Sequence, residues 1–392
     1  MARIVIIGGS FGGLTAAFDL RRHLGKKAEI VLVCDTDKFV FIPSLPWVSM
    51  GWRSPGAITL QLERMLKPKR IKFLHEEAVG VDADASKVIT KRQEIPYDYL
   101  VIATGPDLVF SAVPGLGEHT GCIFTLEHAV RARIALERFL ENPGPVVIGS
   151  VQGVSCFGPM YEYACELDTE LRKRKMRHRV PITFVTSEPY IGHFGISGLR
   201  NSRRIMEDEF AVRDIRVIAN QAVEEFIPGE VRLKDGTKLP HRLAVFAPPM
   251  AGVKAVFHLG NPKGFIPVDE HYRHTRFKNI FSAGVAVAIA PPEQTPVPTG
   301  VPKTGSMTEE MAKQAAATIA GEITGKPVPE AEPVGALCIM DMGNTAALMK
   351  ARPVLPPRQE AVLRAGVIYK WMKLGFEKYY LWKIKRGLTQ LP

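Results

Sequence analysis

The sequence predicts an α/β chain of two doubly wound, Rossmann-like domains, the second inserted in the first, with a C-terminal amphipathic helical membrane-anchoring segment. Three observations predict it. A β-branched strand at the start runs into a glycine cluster and then a helix. A second strand–turn–helix unit opens at Pro145. The tail is aromatic, basic and helically periodic. At 392 residues the chain is long enough for two to three domains. A 46% hydrophobic and 23% charged composition excludes a disordered or fibrous chain.

The first unit begins with Arg3-Ile4-Val5-Ile6-Ile7, which reads as a strand buried on both faces. Gly8-Gly9-Ser10-Phe11-Gly12-Gly13 follows, then a helical stretch from Leu14 to Leu24. A second buried strand, Ile30-Val31-Leu32-Val33, ends at Cys34-Asp35. This is the pattern of a dinucleotide site. The glycines admit a pyrophosphate, the helix N-terminus offers N–H donors, and Asp35 can accept from ribose hydroxyls. Ser10 departs from the fingerprint by replacing its second glycine.

Tyr99-Leu100-Val101-Ile102-Ala103-Thr104-Gly105 reads as another strand closing on a small-residue turn. The unit at Pro145 carries a different turn, Gly149-Ser150-Val151-Gln152-Gly153-Val154-Ser155-Cys156. Val151 stands where a glycine would let the backbone approach phosphate, so a working nicotinamide site is not expected there. A thiol is presented instead near a helix N-terminus, whose dipole is expected to lower the Cys156 pKa. Further strands are expected at Ile182–Val185, Leu243–Ala247 and Ile280–Gly284. The expected divisions are 1–112 and 249–327 for the first domain, 113–248 for the second, and 328–392 for the C-terminal region. Val328 to Pro357, rich in proline, reads as a linker.

From Ala361 to Gly387 the pattern is helical, with Ile368, Trp371, Met372, Tyr379 and Trp382 on one face and Lys370 and Lys373 pointing elsewhere. Arg364 to Arg386 holds seven Lys/Arg and one Glu, a local +6. That suits a monotopic anchor on a membrane surface; a dimer helix is the plainer alternative. No run of about 18 apolar residues predicts a spanning helix, and Met1-Ala2-Arg3 does not open a signal peptide. The whole chain carries 51 Lys/Arg against 40 Asp/Glu, hence +11. The excess lies on the tail and no nucleic-acid motif accompanies it, so no nucleic-acid partner is expected. Five scattered cysteines without a CxxC pair argue against a disulfide framework and against a metal site.

Several longer motifs then point to one family. Phe39-Val40-Phe41-Ile42-Pro43-Ser44-Leu45-Pro46-Trp47-Val48 is one, and Ser155-Cys156-Phe157-Gly158-Pro159-Met160-Tyr161-Glu162 another. Others are Thr186 to His193, Thr295 to Gly305, Cys338-Ile339-Met340-Asp341-Met342-Gly343, and Gly375 to Leu381. Together they resemble the sulfide:quinone oxidoreductase family over nearly the whole chain. Type II NADH dehydrogenases and the flavoprotein subunit of flavocytochrome c sulfide dehydrogenase are the related alternatives.

The resemblance implies FAD in the first domain, hydrogen sulfide as substrate and a membrane quinone as acceptor. It implies a redox-active pair, Cys156 and Cys338, flanking the flavin; which one is proximal stays open. Those cysteines lie 182 positions apart. It makes Cys122 a candidate third sulfur residue, although the interval to His128 is two residues longer than in the family. His128 and His193 are implied as acid–base groups. Beyond the glycine turn and Asp35, Pro43, Ser44, Thr104, Gly105, Gly284 and Lys303 are the expected cofactor contacts. Lys303 would place positive charge near the reduced ring, while Gly284-Val285 lacks the acid that many related flavoenzymes carry there. Ile339, Phe376 and Tyr379 are the quinone-slot candidates. Cys34 and Cys165 read as structural. Whether the chain forms a homo-oligomer stays open.

Overall fold

A computed structural model describes residues 1–391. Its helices are α1 (Phe11–Leu24), α2 (Leu45–Ser49), α3 (Leu62–Leu66), α4 (Leu126–Glu141), α5 (Gly158–Lys173), α6 (Ser202–Ala211), α7 (Gly305–Thr324) and α8 (Val367–Lys385). The first sheet is parallel and five-stranded, in the order Ile280–Ser282, Tyr99–Ile102, Ala2–Ile7, Ala28–Cys34, Lys72–His75. Its register sets Ile4–Ile7 against Ile30–Val33 on one side and Tyr99–Ile102 on the other. Side chains alternate across a strand. Ile4 and Ile6 therefore enter one apolar cluster, while Val5 and Ile7 enter another on the opposite face. Both faces are dry, which is why this strand reads as an unbroken apolar run.

The second sheet is also parallel, in the order Ile215–Ile218, Ile182–Val185, Val146–Ser150, Leu243–Ala247. All four strands fall between Ile102 and Ile280 in the chain, so this unit is inserted in the first, as expected. α1 begins at Phe11, three residues earlier than its apolar periodicity suggested, because Gly12 and Gly13 continue the helix.

The C-terminal region corrects two expectations. Val328 to Pro357 is not a bare linker. It holds the strands Ala336–Asp341 and Ala346–Arg352, which form an antiparallel sheet with Glu360–Gly366. The helix therefore starts at Val367 and not near Ala361. The prolines at 353, 356 and 357 lie between strands, where missing N–H groups cost no ladder bonds. Val362 and Leu363, both buried, are core residues of a strand. Among the described residues no helix is long and apolar enough to cross a membrane.

Candidate active site

The glycine turn is fitted to its own backbone before any ligand is considered. A Cβ on Gly13 would stand 1.8 Å from the Gly8 carbonyl oxygen, and one on Gly8, at φ +111°, would meet Ala103 O at 2.2 Å. Only glycine lets strand and helix cross this closely. At the head of α1, Ser10 makes no side-chain cap, which leaves the first-turn N–H groups to an anion. Asp35, exposed at the end of the adjacent strand, stands where a ribose is read. Gly284, at φ +77°, and Gly105, at φ +72°, line the same edge of the sheet. These residues fit a dinucleotide such as FAD.

Other expected cofactor contacts are spoken for within the protein. Phe11 lies in an aromatic cluster, its ring 5.3 Å from Phe39 and 5.0 Å from Tyr380. Ser44 donates to Glu377 Oε2 at 2.6 Å, and Pro43 is half-buried just before it. Thr104 donates to the Gly105 carbonyl at 3.1 Å. The Lys303 ammonium donates to Val285 O at 2.9 Å and stands 4.0 Å over the Phe265 ring. Burial pulls its pKa down to about 7.

Cys156 stands two residues before the start of α5, and Cys338 lies on the strand Ala336–Asp341, which packs on that helix. Both are half-buried free thiols. They are near enough that charge on one is felt by the other. Burial first, then Cys338 and Glu162, push Cys156 up to about 12. Burial and Glu162 push Cys338 up to about 12 against the pull of Lys373. This reverses the expectation of a lowered Cys156 pKa: desolvation and a neighbouring carboxylate outweigh the dipole of α5.

Beneath the thiols lies a buried charge cluster. Glu162 pairs with Lys373 of α8, which is 4% exposed. Lys373 points away from the exposed aromatic face, and it points into the core. Its ammonium also stands 5.1 Å over the Trp47 ring. Burial works to lower the Lys373 pKa, but Glu162, then Glu166 and Asp341, raise it above its ordinary value. Burial meanwhile raises that of Glu162 despite the ammonium. The tendencies are compatible with a charged lysine among acids that together retain a proton. Asp341 accepts from Trp47 Nε1 and from the Gly343 N–H, each at 2.7 Å. Glu162, Trp47 and Asp341 stood inside the quoted motifs without being singled out. The missed signal was acids at four-residue spacing, 162 and 166, within the otherwise apolar stretch from Gly158 to Leu167 of α5.

Cys122 and His128 come together elsewhere. They line a cavity of about 550 Å³ with His119, His241 and Arg242, and neither Cys156 nor Cys338 lines it. Burial raises Cys122 to about 11 and lowers His128. His193 is buried with both ring nitrogens engaged: Nε2 lies 2.7 Å from Glu293 Oε1, and Nδ1 accepts from the Gly195 N–H at 3.1 Å. An acid–base role for His193 therefore requires one of these bonds to open. Cys34 and Cys165 are buried.

Of the quinone candidates, Phe376 joins the aromatic cluster, 6.0 Å from Phe41 and 5.7 Å from Tyr380. Tyr379 lies apart, stacked on Trp382 at 6.1 Å. Ile339 is half-buried beside Cys338.

Residues 2–304 match the model of the family described as pyridine nucleotide-disulphide oxidoreductase. The chain is 43% identical to the sulfide-quinone reductase of Aquifex aeolicus, over 98% of this chain and 91% of the relative. It belongs to the sulfide-quinone reductase family. The X-ray structure of the sulfide:quinone oxidoreductase from that hyperthermophilic bacterium superposes with a TM-score of 0.96 at 42% identity, covering 99% of this chain and 92% of the other. Similarity to NDH2 from Plasmodium falciparum, with a TM-score of 0.75 at 16% identity, covers 100% of this chain and 97% of the other and concerns the fold alone. This sulfide-quinone reductase family member carries the thiol of Cys156 just after its second turn, where Val151 stands in place of a glycine.

Proposed function

We infer that this chain oxidises sulfide at Cys156 and Cys338 and delivers two electrons to a membrane quinone. The observation that supports the reading is the packing of the strand of Cys338 on α5, close to whose start Cys156 stands, so that charge on Cys338 bears on Cys156. FAD, held by the Gly8–Gly13 turn, Asp35 and Gly284, supplies the two-electron acceptor for the thiol pair. Hydrosulfide attacks a disulfide between the cysteines; its S–S bond breaks, a persulfide forms on one residue and the other leaves as thiolate. The hydrosulfide proton stays on the persulfide, so the buried Glu162 takes a proton only when a thiol of the pair later ionises, and Lys373 offsets the thiolate's charge. Attack by a second sulfide on the outer persulfide sulfur frees a polysulfide and returns the thiol.

The C-terminal helix supports membrane association by its construction. Its inner face carries Lys373, Glu377, Tyr380 and Lys383, all buried. Its outer face leaves Ile368, Trp371, Met372, Phe376 and Trp382 exposed, Trp371 at 67%. Apolar-out and ionic-in is the inverse of a surface helix, and a bilayer interface covers such a face. The cationic fringe is thinner than the local +6 suggested, because Lys373 and Lys383 are consumed in buried pairs with Glu162 and Glu309. Arg364, Lys378, Lys385 and Arg386 remain exposed to meet anionic headgroups.

The test is anaerobic titration of the FAD-loaded protein with sodium sulfide and, separately, NADH. Sulfide bleaches the flavin bands and NADH does not; bleaching by NADH alone overturns the reading. Cys156→Ala abolishes sulfide-dependent quinone reduction, and full retention overturns the role of the pair.

A further inference from the structure

Glu166 lies one helical turn beyond Glu162 on α5, so the two side chains share a face. It is 0% exposed, and neither carboxyl oxygen has a hydrogen-bond partner among the described residues. An ionised carboxylate there would lack the compensation that a buried charge needs. The groups facing it are Glu162 and Tyr163 on its own helix, Asp341 on the neighbouring strand, and Lys370 and Lys373 from α8. Asp341 is held by two N–H donors and Glu162 by the Lys373 ammonium. Lys370 is half-buried and donates to the Gly343 carbonyl. Two of the three acids are thus supported as anions. The third has no support, and burial with the charges of Asp341 and Glu162 favours its neutral form.

We propose that Glu166 is a proton-storing residue for the sulfur site, a positioning residue that exchanges its proton with Glu162 as Cys338 gains and loses charge. The proposal rests on the sulfide reading above. At rest the two glutamates hold one proton, on Glu166. When Cys338, present as a thiol once the disulfide has been opened, ionises before the disulfide re-forms, its S–H proton moves to the Glu162 carboxylate; one S–H bond breaks, one O–H bond forms, and no electron moves in that transfer. The pair then holds two protons, and the combined charge of thiol and cluster is unchanged. The Glu166 proton leaves past Lys370, whose partial exposure marks the nearer way to solvent, Glu162 passes its own proton to Glu166, and the pair returns to one. Because Glu166 stays neutral while Glu162 is anionic, Glu162 remains free to act as the acceptor.

Infrared difference spectroscopy on the full-length, FAD-loaded protein tests this, with glutamate labelled by ¹³C at its side-chain carboxyl. The parent is expected to show a protonated-glutamate carbonyl band that shifts with the label and changes when sodium sulfide is added anaerobically. In Glu166→Gln the resting band is lost. In Glu162→Gln it is present but no longer responds to sulfide. A resting band that survives Glu166→Gln overturns the assignment, and one that stays still on sulfide addition in the parent overturns the exchange. Should Glu166→Gln fail to load FAD, the other two proteins decide: a response that persists in Glu162→Gln overturns the proposal. Flavin bleaching in the same cell separates the two readings. Bleaching with an unmoved band overturns only the proton store; no bleaching overturns the sulfide reading, and the store with it.

Discussion

Replacing Lys373 by methionine isolates the buried pair that ties α8 to the sulfur site. The substitution keeps most of the volume but leaves Glu162 without its counter-ion, beside Glu166 and Asp341. Removing one partner of a buried pair costs about 3–5 kcal/mol, and the lost stacking on Trp47, at 5.1 Å, lies within that range. Glu162 can escape part of the penalty by taking a proton. The loss is therefore smallest near pH 6 and grows by up to about 1.4 kcal/mol per pH unit once Glu162 must ionise. With unfolding entropy of about 2.1 cal/mol/K per residue, 1 kcal/mol moves the melting midpoint of a chain this long by about 1 °C. The expected drop is then about 3–6 °C, read by calorimetry at pH 6 and pH 8.5. Glu162→Gln combined with Lys373→Met replaces the pair by neutral groups and recovers most of the loss. A drop that is the same at both pH values, or a double variant no better than Lys373→Met alone, would refute the assignment of the penalty to an orphaned Glu162.

Three further outcomes follow from other parts of the molecule. Gly13→Ala places a Cβ 1.8 Å from the Gly8 carbonyl; the purified protein is expected to lose most of its bound flavin by absorption, where Gly25→Ala, with open space around it but φ +56°, loses stability and keeps flavin. Glu188 is fully buried and raised from 4.5 to about 7, burial outweighing the bonds it accepts from Tyr161, Thr186 and the Phe194 N–H. A raised folded pKa contributes stability that is present below pH 4.5 and lost as pH rises towards 7, on the order of 3 kcal/mol, so Glu188→Gln flattens the fall in melting midpoint between pH 5 and 8. Trp371→Asp combined with Met372→Asp leaves the buried face of α8 untouched and is expected to lower co-sedimentation with anionic vesicles at least tenfold, while sulfide still bleaches the flavin.

How much of this was legible in the residues depends on whether a signal was local. Ile4 to Ile7, the glycine turn and Ile30 to Val33 are contiguous and obey one periodicity, so the first unit could be read directly. The antiparallel sheet around Cys338 could not, because the prolines at 353, 356 and 357 dominate the local pattern. Pairing Met349 with both Cys338 and Leu363 is a tertiary fact. The burial of Lys373 was illegible for a related reason. Helical periodicity assigns lysine to the wet side, and only the acids of α5, some 200 residues earlier, make burial tolerable. The thiol pKa was misjudged because a dipole is visible in sequence and desolvation is not.

The placement of charge along α8 links its proposed membrane face to the proposed sulfur site. Glu377 accepts from Ser44 at 2.6 Å and from Arg53 at 2.9 Å, which fastens the helix to the segment after the first unit's second strand. Lys373 fastens it to α5 beneath Cys156, and Glu309 of α7 receives Tyr380 at 2.6 Å and Lys383 at 3.2 Å. Thr389 reaches Asp19 of α1 just beyond the helix. Ionic contacts are directional and costly to leave half-made, so they fix the rotation of α8 more tightly than an apolar seam could. That rotation is what keeps Trp371 and Phe376 outward while Tyr380 closes the aromatic cluster around Phe11 and Phe41. The face of α8 proposed to meet lipid thus has its orientation set by the same lysine that pairs with Glu162 on the other side of the helix.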